Sequence, residues 1–148
     1  FYGIYLSQWK EYCAISEDPN GILQGYLLGK VEGVKDDENV IGWHGHVSAV
    51  TVAPQFRRQG LARDLMDYLE DVTHKIHYAY FVDLFVRPSN KIAVGMYENL
   101  GYIVYRAVES YYNDEDAYDM RKAMPRDTEK KTLIAPKKRI KPHELEYH

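Results

Sequence analysis

Apolar and polar positions follow two different periods along this chain, and each change of period marks an element. Glu11–Ser16 and Ile22–Val31 carry the aromatic and aliphatic content of strands. Asp18-Pro19-Asn20-Gly21 between them is a concentrated turn signal, so the two read as a hairpin. Val34–Asn39 is a polar loop, and Trp43–Ala53 is a further strand that stops at Pro54. The period then becomes helical: Leu61, Leu65, Leu69, Val72 and Ile76 form one apolar stripe. Phe81–Arg87 reads as a largely buried strand ended by Pro88-Ser89. Asn90 opens a second helix in which Ala93, Tyr97 and Gly101 fall near one face. Gly101-Tyr102 ends it, and Ile103–Val108 resumes the strand pattern. Val104–Tyr111 and Ala117–Met124 close the sheet, and beyond Pro125 the composition is that of a tail.

The joint at Val47–Ala62 (V-S-A-V-T-V-A-P-Q-F-R-R-Q-G-L-A) has chemistry of its own. A strand ends and Arg57-Arg58-Gln59-Gly60-Leu61-Ala62 leads into a helix, which sets guanidinium groups beside unpaired backbone N–H groups. Such a terminus suits a pyrophosphate. Gly60 and Ala62 lack bulky side chains, so a phosphate can approach the backbone. An ordinary strand–loop–helix joint with solvated arginines would read the same.

Composition narrows the picture. At 148 residues, 45% hydrophobic and 28% charged, the chain fits one globular domain with a real core. Fourteen tyrosines against four phenylalanines suggest a cleft or interface where apolar rings need a polar tip. Cys13 is the only cysteine, which excludes an internal disulfide and fits a reducing compartment. Its apolar strand context makes it a small buried hydrophobe rather than a nucleophile. No apolar run approaches the ~18 residues of a membrane span, and no signal peptide is visible. Residues 1–124 carry 12 Lys and Arg against 18 Asp and Glu, whereas 125–148 carry 7 against 4. That basic tail either touches RNA or an acidic partner or is merely solvated. The body shows no nucleic-acid footprint, so DNA is not expected as a partner. His44-x-His46 has no accompanying carboxylate or cysteine motif at ligand spacing, so no metal is expected.

The order of elements, with Arg57–Ala62 and Asn90-x-x-Ala93-x-x-x-Tyr97-x-x-x-Gly101-Tyr102, resembles the GNAT superfamily of acetyl-CoA-dependent N-acetyltransferases from about Glu11 to Met124. Trp43–Val47, Phe81–Arg87, Asp114–Ala123 and Arg126–Lys131 look like the NatB group of catalytic subunits within it. That group acetylates nascent proteins starting Met-Asp, Met-Glu, Met-Asn or Met-Gln. The resemblance implies an α+β fold: a central, twisted, mostly antiparallel sheet, splayed at the acetyl-CoA site and flanked by helices. The family's first strand and helices, which line the substrate cleft, have no counterpart before Phe1-Tyr2, and the loop at Tyr112-Asn113-Asp114 is shorter than expected. Residues 1–124 are thus expected to form the acetyltransferase domain and 125–148 a basic tail.

The family's functional residues carry over as follows. The backbone of Val50, Thr51 and Val52 would pair with the pantetheine arm. Arg57, Arg58, Gln59, Gly60, Leu61, Ala62 and Arg63 would hold the pyrophosphate, and Asn90 would contact the pantetheine. Tyr97 stands where the family has its general acid: a phenol of pKa near 10 can hydrogen-bond or protonate a thiolate of pKa ~8.5. A packing tyrosine is its structural alternative. His46 and Ser48, two apart on a strand, would share a face, either relaying a proton or binding the second substrate residue. His44 projects to the same side. Tyr111 and Tyr112 stand where the substrate-covering hairpin begins, as contacts for the peptide or as packing residues. The resemblance further implies a cytoplasmic, ribosome-associated heterodimer with a large helical-repeat (TPR-like) auxiliary subunit, and no membrane partner. A GNAT enzyme acting on lysine or a small amine, and a non-catalytic acyl-CoA-binding scaffold, are the competing readings.

Overall fold

Alternating strand residues and two amphipathic helices assemble into an eight-stranded mixed sheet with both helices on one face. The computed structural model describes residues 2–6, 11–33, 42–57 and 60–146, with backbone alone at 2–6, 11 and 12. The expected polar loop at 34–39 lies outside the described residues. The strands are β1 (Tyr2–Leu6), β2 (Glu11–Glu17), β3 (Leu23–Glu32), β4 (His44–Val52), β5 (Phe81–Val86), β6 (Ile103–Val108), β7 (Ala117–Ala123) and β8 (Arg139–Ile140). The helices are α1 (Leu61–Lys75) and α2 (Lys91–Asn99). Among the described residues the strand order is β1-β2-β3-β4-β5-β7-β6-β8, and only β4–β5 and β6–β8 pair in parallel.

Side-chain alternation sorts the sheet into two unlike faces. Leu27, Val31, Val47, Val82, Leu84 and Met120 turn to the helices and meet Leu65, Met66, Leu69 and Val72 of α1 in one core. Ile76, the last residue of the expected stripe, is the C-cap of α1 and is exposed. Lys30, Glu32, His44, His46, Asp83, Asp119 and Arg121 line a cavity on the opposite face.

β4 and β5 pair only from His44↔Phe81 to Val47↔Leu84, although β4 runs on to Val52. Beyond Val47 the strands part, and one backbone edge of residues 48–52 has no strand partner on the β5 side. On the β3 side pairing continues to Gly25↔Val52, but with a bulge: Gly29 pairs with Val47 and Leu28 with Ala49, leaving Ser48 as the extra residue.

The chain after Pro125 departs from the expected tail. Asp127, buried, accepts hydrogen bonds from the Lys131 and Thr132 amides and the Thr132 hydroxyl. That turn presents the Thr132 carbonyl to Arg121 Nη1 at 3.0 Å. β8 then adds to the sheet edge, burying Ile140 against Val108 and Ala117. Several of the basic residues are paired: Lys131 with Glu129, Lys137 with Glu144, Arg139 with Asp116 and Glu109. Burial of Ile140 and Thr132 thus outweighs the solvation that the charge count suggests.

Candidate active site

The open edge of β4 leads into a tight joint. Ala53 precedes a 3-10 turn at Pro54–Phe56, and α1 starts at Leu61 with Gly60 as its N-cap. Gly60 has φ 75°, the left-handed region, so glycine is needed here for backbone conformation rather than space; an added Cβ would meet nothing within 4 Å. Gly60 offers no capping side chain, and the first helical bond is Asp64 N–H to the Gly60 carbonyl. The amides of Leu61, Ala62 and Arg63 therefore precede the helix's own acceptors, and the helix dipole adds to their pull on an anion. Arg57 turns back to donate from Nε to the Val52 carbonyl at 3.2 Å. Arg58 and Gln59 lie outside the described residues. An uncapped helix terminus continuous with an open strand edge fits a ligand that ends in a diphosphate and bears an amide-containing arm.

Asn90 opens α2, as the sequence suggested. Its Oδ1 accepts from the Ala93 amide at 3.3 Å, capping α2, so only its amide group is left to donate to a ligand. One helical turn and more along, Tyr97 packs into the core, edge-on to Tyr102 at 6.0 Å. Burial, with a smaller push from Tyr112, raises the Tyr97 hydroxyl above its ordinary value and keeps the proton on it at neutral pH. Tyr102 in turn hydrogen-bonds Glu70 of α1, which also binds Lys122 Nζ at 2.7 Å. This triangle, which sequence reasoning did not find, ties α1, β7 and the end of α2 together.

On the opposite face Tyr111 lies tilted against Phe85 at 4.9 Å and edge-on to Tyr112 at 5.1 Å, and Arg87 lies over the Tyr112 ring at 4.4 Å. Arg87 also reaches Asp114 and Glu115, while Ser89 binds Glu115. The turn that starts α2 thereby holds the β6–β7 loop. The bulge modifies the expectation for His46 and Ser48. His44 and His46 share the cavity face, but Ser48 is the unpaired extra residue, exposed where the strands part. Its side chain is therefore not placed by simple alternation with His46.

Behind these residues lies a cavity of about 240 Å³ lined by paired charges. His44, buried, stacks on Phe81 at 4.5 Å, its Nδ1 facing the Gly42 carbonyl at 2.6 Å and its Nε2 Glu32 at 3.1 Å. That placement makes it a structural member of the layer. Burial alone would raise the Glu32 carboxyl, but His44 and Lys30 outweigh it and hold it down to about 2. Asp83 is also lowered: its burial is overcome by His44, His46 and Arg121. Asp119 goes the other way, pushed up to about 7 by burial and by Asp83, against Arg121 and Arg106. Arg106 bonds Asp119 at 3.1 Å and grips Glu146 with both terminal nitrogens, while Arg121 is sandwiched between Phe81 and Tyr105. Asp83 had a visible signal: a carboxylate within F-V-D-L-F-V is rare unless partnered. Among the described residues no group of three or more His, Cys, Asp or Glu is arranged to hold a metal, and no helix is long and apolar enough to cross a membrane.

The model of the acetyltransferase (GNAT) family matches residues 3–102. The chain belongs to that family. As a GNAT acetyltransferase it is similar to curated NatB subunits: 55% identical over 148 residues to the N-terminal acetyltransferase B complex catalytic subunit NAA20 of Arabidopsis thaliana, covering 99% of this chain and 82% of that one. It is 54% identical to N-alpha-acetyltransferase 20 of Dictyostelium discoideum, over 96% of this chain and 80% of that one. Among solved GNAT structures, Naa20 of Chaetomium thermophilum in complex with a bisubstrate analogue superimposes with a TM-score of 0.78 at 39% identity, covering 88% of this chain and 76% of that one. A NatB complex bound to CoA and MES gives 0.67 at 41%, over 76% and 73%. The GNAT fold expected from the sequence, a mostly antiparallel sheet that splays beside a phosphate-type turn, is the one observed.

Proposed function

We propose that this acetyltransferase is the catalytic subunit of a NatB-type complex, transferring acetyl from acetyl-CoA to the α-amine of chains beginning Met-Asp, Met-Glu, Met-Asn or Met-Gln. The observation that carries the reading is the parting of β4 from β5 at Val47, with the uncapped start of α1 at one end and His46 and Tyr111 at the other. Acetyl-CoA supplies an acyl group already activated as a thioester. The open backbone of Val50, Thr51 and Val52 would bind its pantetheine arm as an added strand. Arg57, Arg58, Gln59, Gly60, Leu61, Ala62 and Arg63 would hold its diphosphate, and the Asn90 amide would contact the arm. Tyr97, kept protonated by burial, would donate to the departing thiolate sulfur.

On the amine side little base strength is required. An α-amine of pKa ~7.7–8.0 is already tens of per cent neutral near pH 7.4, whereas a lysine amine at ~10.4 is about 0.1% neutral. His46 and Ser48 would meet the polar second residue of the acceptor, with Tyr111 and Tyr112 flanking its backbone. The similarity to NatB subunits supports a heterodimer with a large helical-repeat (TPR-like) auxiliary subunit, working in the cytoplasm at the ribosome on emerging chains. The test is a peptide panel varying only the second residue, with a lysine peptide added, run with and without co-expressed auxiliary subunit. Met-Asp should exceed Met-Leu by at least tenfold, the effect of about 1.4 kcal/mol in binding. Equal rates, or faster lysine acetylation, would overturn the assignment.

A further inference from the structure

Asp83 is the charged residue of β5, 6% exposed among Phe81, Val82, Leu84 and Phe85. Its Oδ1 lies 2.7 Å from His46 Nδ1 and 3.6 Å from His44 Nε2. An ionised carboxylate only accepts, so His46 Nδ1 must carry the proton it donates. That leaves Nε2 as the atom His46 turns to the cavity. A neutral ring held in this tautomer has a lone pair at Nε2, which accepts from the amide of Asn or Gln and repels a carboxylate. Only the imidazolium can donate from Nε2 to Asp or Glu. We propose that Asp83 is a positioning residue that fixes the His46 tautomer and supports its imidazolium, so that selection of acidic over amide second residues falls as pH rises.

This rests on the reading in which His46 meets the second residue. The groups around His46 favour the charged ring. On β3, Lys30 stands in register opposite it and opposes the charge, while Glu32, beyond, supports it. His44 shares Asp83 from the same strand, and β7 contributes Arg121 and Asp119 to the cavity. β6 brings Arg106, which is neutralised by Glu146 and Asp119; Tyr111 and the tilted Phe85 ring, 5.4 Å away, complete the surroundings. Burial works against the imidazolium, but Asp83 and Glu32 outweigh burial and Lys30 and raise His46 above its ordinary value. The acidic preference is thus present in full well below the raised value and lost as pH rises through it.

The test uses the full-length protein with its auxiliary subunit and measures kcat/KM for Met-Asp and Met-Asn peptides between about pH 6 and 9. The peptides' α-amines titrate alike and cancel in the ratio, and His46→Gln separates His46 from Asp119, which titrates near 7 in the same cavity. The wild-type ratio should fall about tenfold, the difference between a charge-assisted and a neutral hydrogen bond. In Asp83→Asn the midpoint should move to lower pH by roughly one unit, with KM for Met-Asp rising more than kcat falls. His46→Gln should give a flat ratio, and this variant serves if Asp83→Asn fails to fold, as judged by thermal unfolding and acetyl-CoA binding. A wild-type ratio independent of pH, or an unmoved midpoint in a folded Asp83→Asn, overturns the proposal. Equal Met-Asp and Met-Leu rates in wild type would instead overturn the substrate reading beneath it.

Discussion

Replacing Gly45 by alanine should loosen α1 from the sheet. Gly45 lies on β4 in register with Val82, and its helix-facing side abuts Thr73 of α1. A Cβ at Gly45 would meet Thr73 Oγ1 at 2.6 Å, Cγ2 at 2.8 Å and Cβ at 3.3 Å. Comfortable contact needs about 3.5 Å, so helix and strand must separate by something under ~1 Å. Thr73 is fully buried and β-branched, which restricts its escape by rotation. Overpacking of this kind costs about 1–3 kcal/mol, which for a domain of this size lowers Tm by roughly 3–10 °C. Thermal and urea unfolding of wild type, Gly45→Ala, Thr73→Ala and the double variant would measure it. Thr73→Ala removes the two nearest atoms, so the double variant should be about 1 kcal/mol or more better than the sum of the singles. Because α1 begins with the amides proposed to bind the diphosphate, KM for acetyl-CoA should rise in Gly45→Ala and recover in the double variant. Wild-type stability in Gly45→Ala, or strict additivity, would refute the close-packing argument.

Two further outcomes follow from the site. Tyr97→Phe should lower kcat by about 10²-fold while calorimetry shows acetyl-CoA affinity retained; unchanged turnover would remove Tyr97 as proton donor. Asp119, raised to about 7, favours folding in its protonated form, a contribution present in full below the unfolded value near 4 and lost as pH rises through 7. His46, also raised, adds a loss that begins above its unfolded value near 6.5 and is complete once pH has passed its own folded value. For Asp119, urea unfolding should therefore show this contribution to stability falling between about pH 4 and 7 and levelling off above, with a slope of at most about 1.4 kcal/mol per pH unit for each proton. Asp119→Asn should flatten that fall, and an equal slope in the variant would contradict the assignment.

The elements that position the site were legible because their signals were local. Asp18-Pro19-Asn20-Gly21 sits in the observed β2–β3 turn, and Gly60 and Asn90 cap α1 and α2 where the punctuation suggested. What escaped depends on partners distant in sequence. The face carrying Glu32, Asp83, Asp119 and Arg121 draws these four from three strands, β3, β5 and β7, and no one strand shows that its charges neutralise each other. β8 is only Arg139-Ile140, too short for any period, and is recruited by Ala107 and Val108 about thirty residues earlier. The bulge was invisible for another reason: Ser48 suits a regular strand as well as an irregular one.

That inserted serine makes strand length, not strand composition, the quantity under protection. Val47 and Val50 both reach the helix-side core across an interval of three, which a uniform strand forbids. Excising Ser48 would bring them two apart in a uniform strand, with Val50 still turned to the core, whereas adding a residue to the regular stretch after Ala49 would swing Val50 out toward the reaction face. A one-codon insertion there would invert the inside and outside of everything downstream as far as Val52, while loss of the serine would only straighten the strand where it leaves its neighbour.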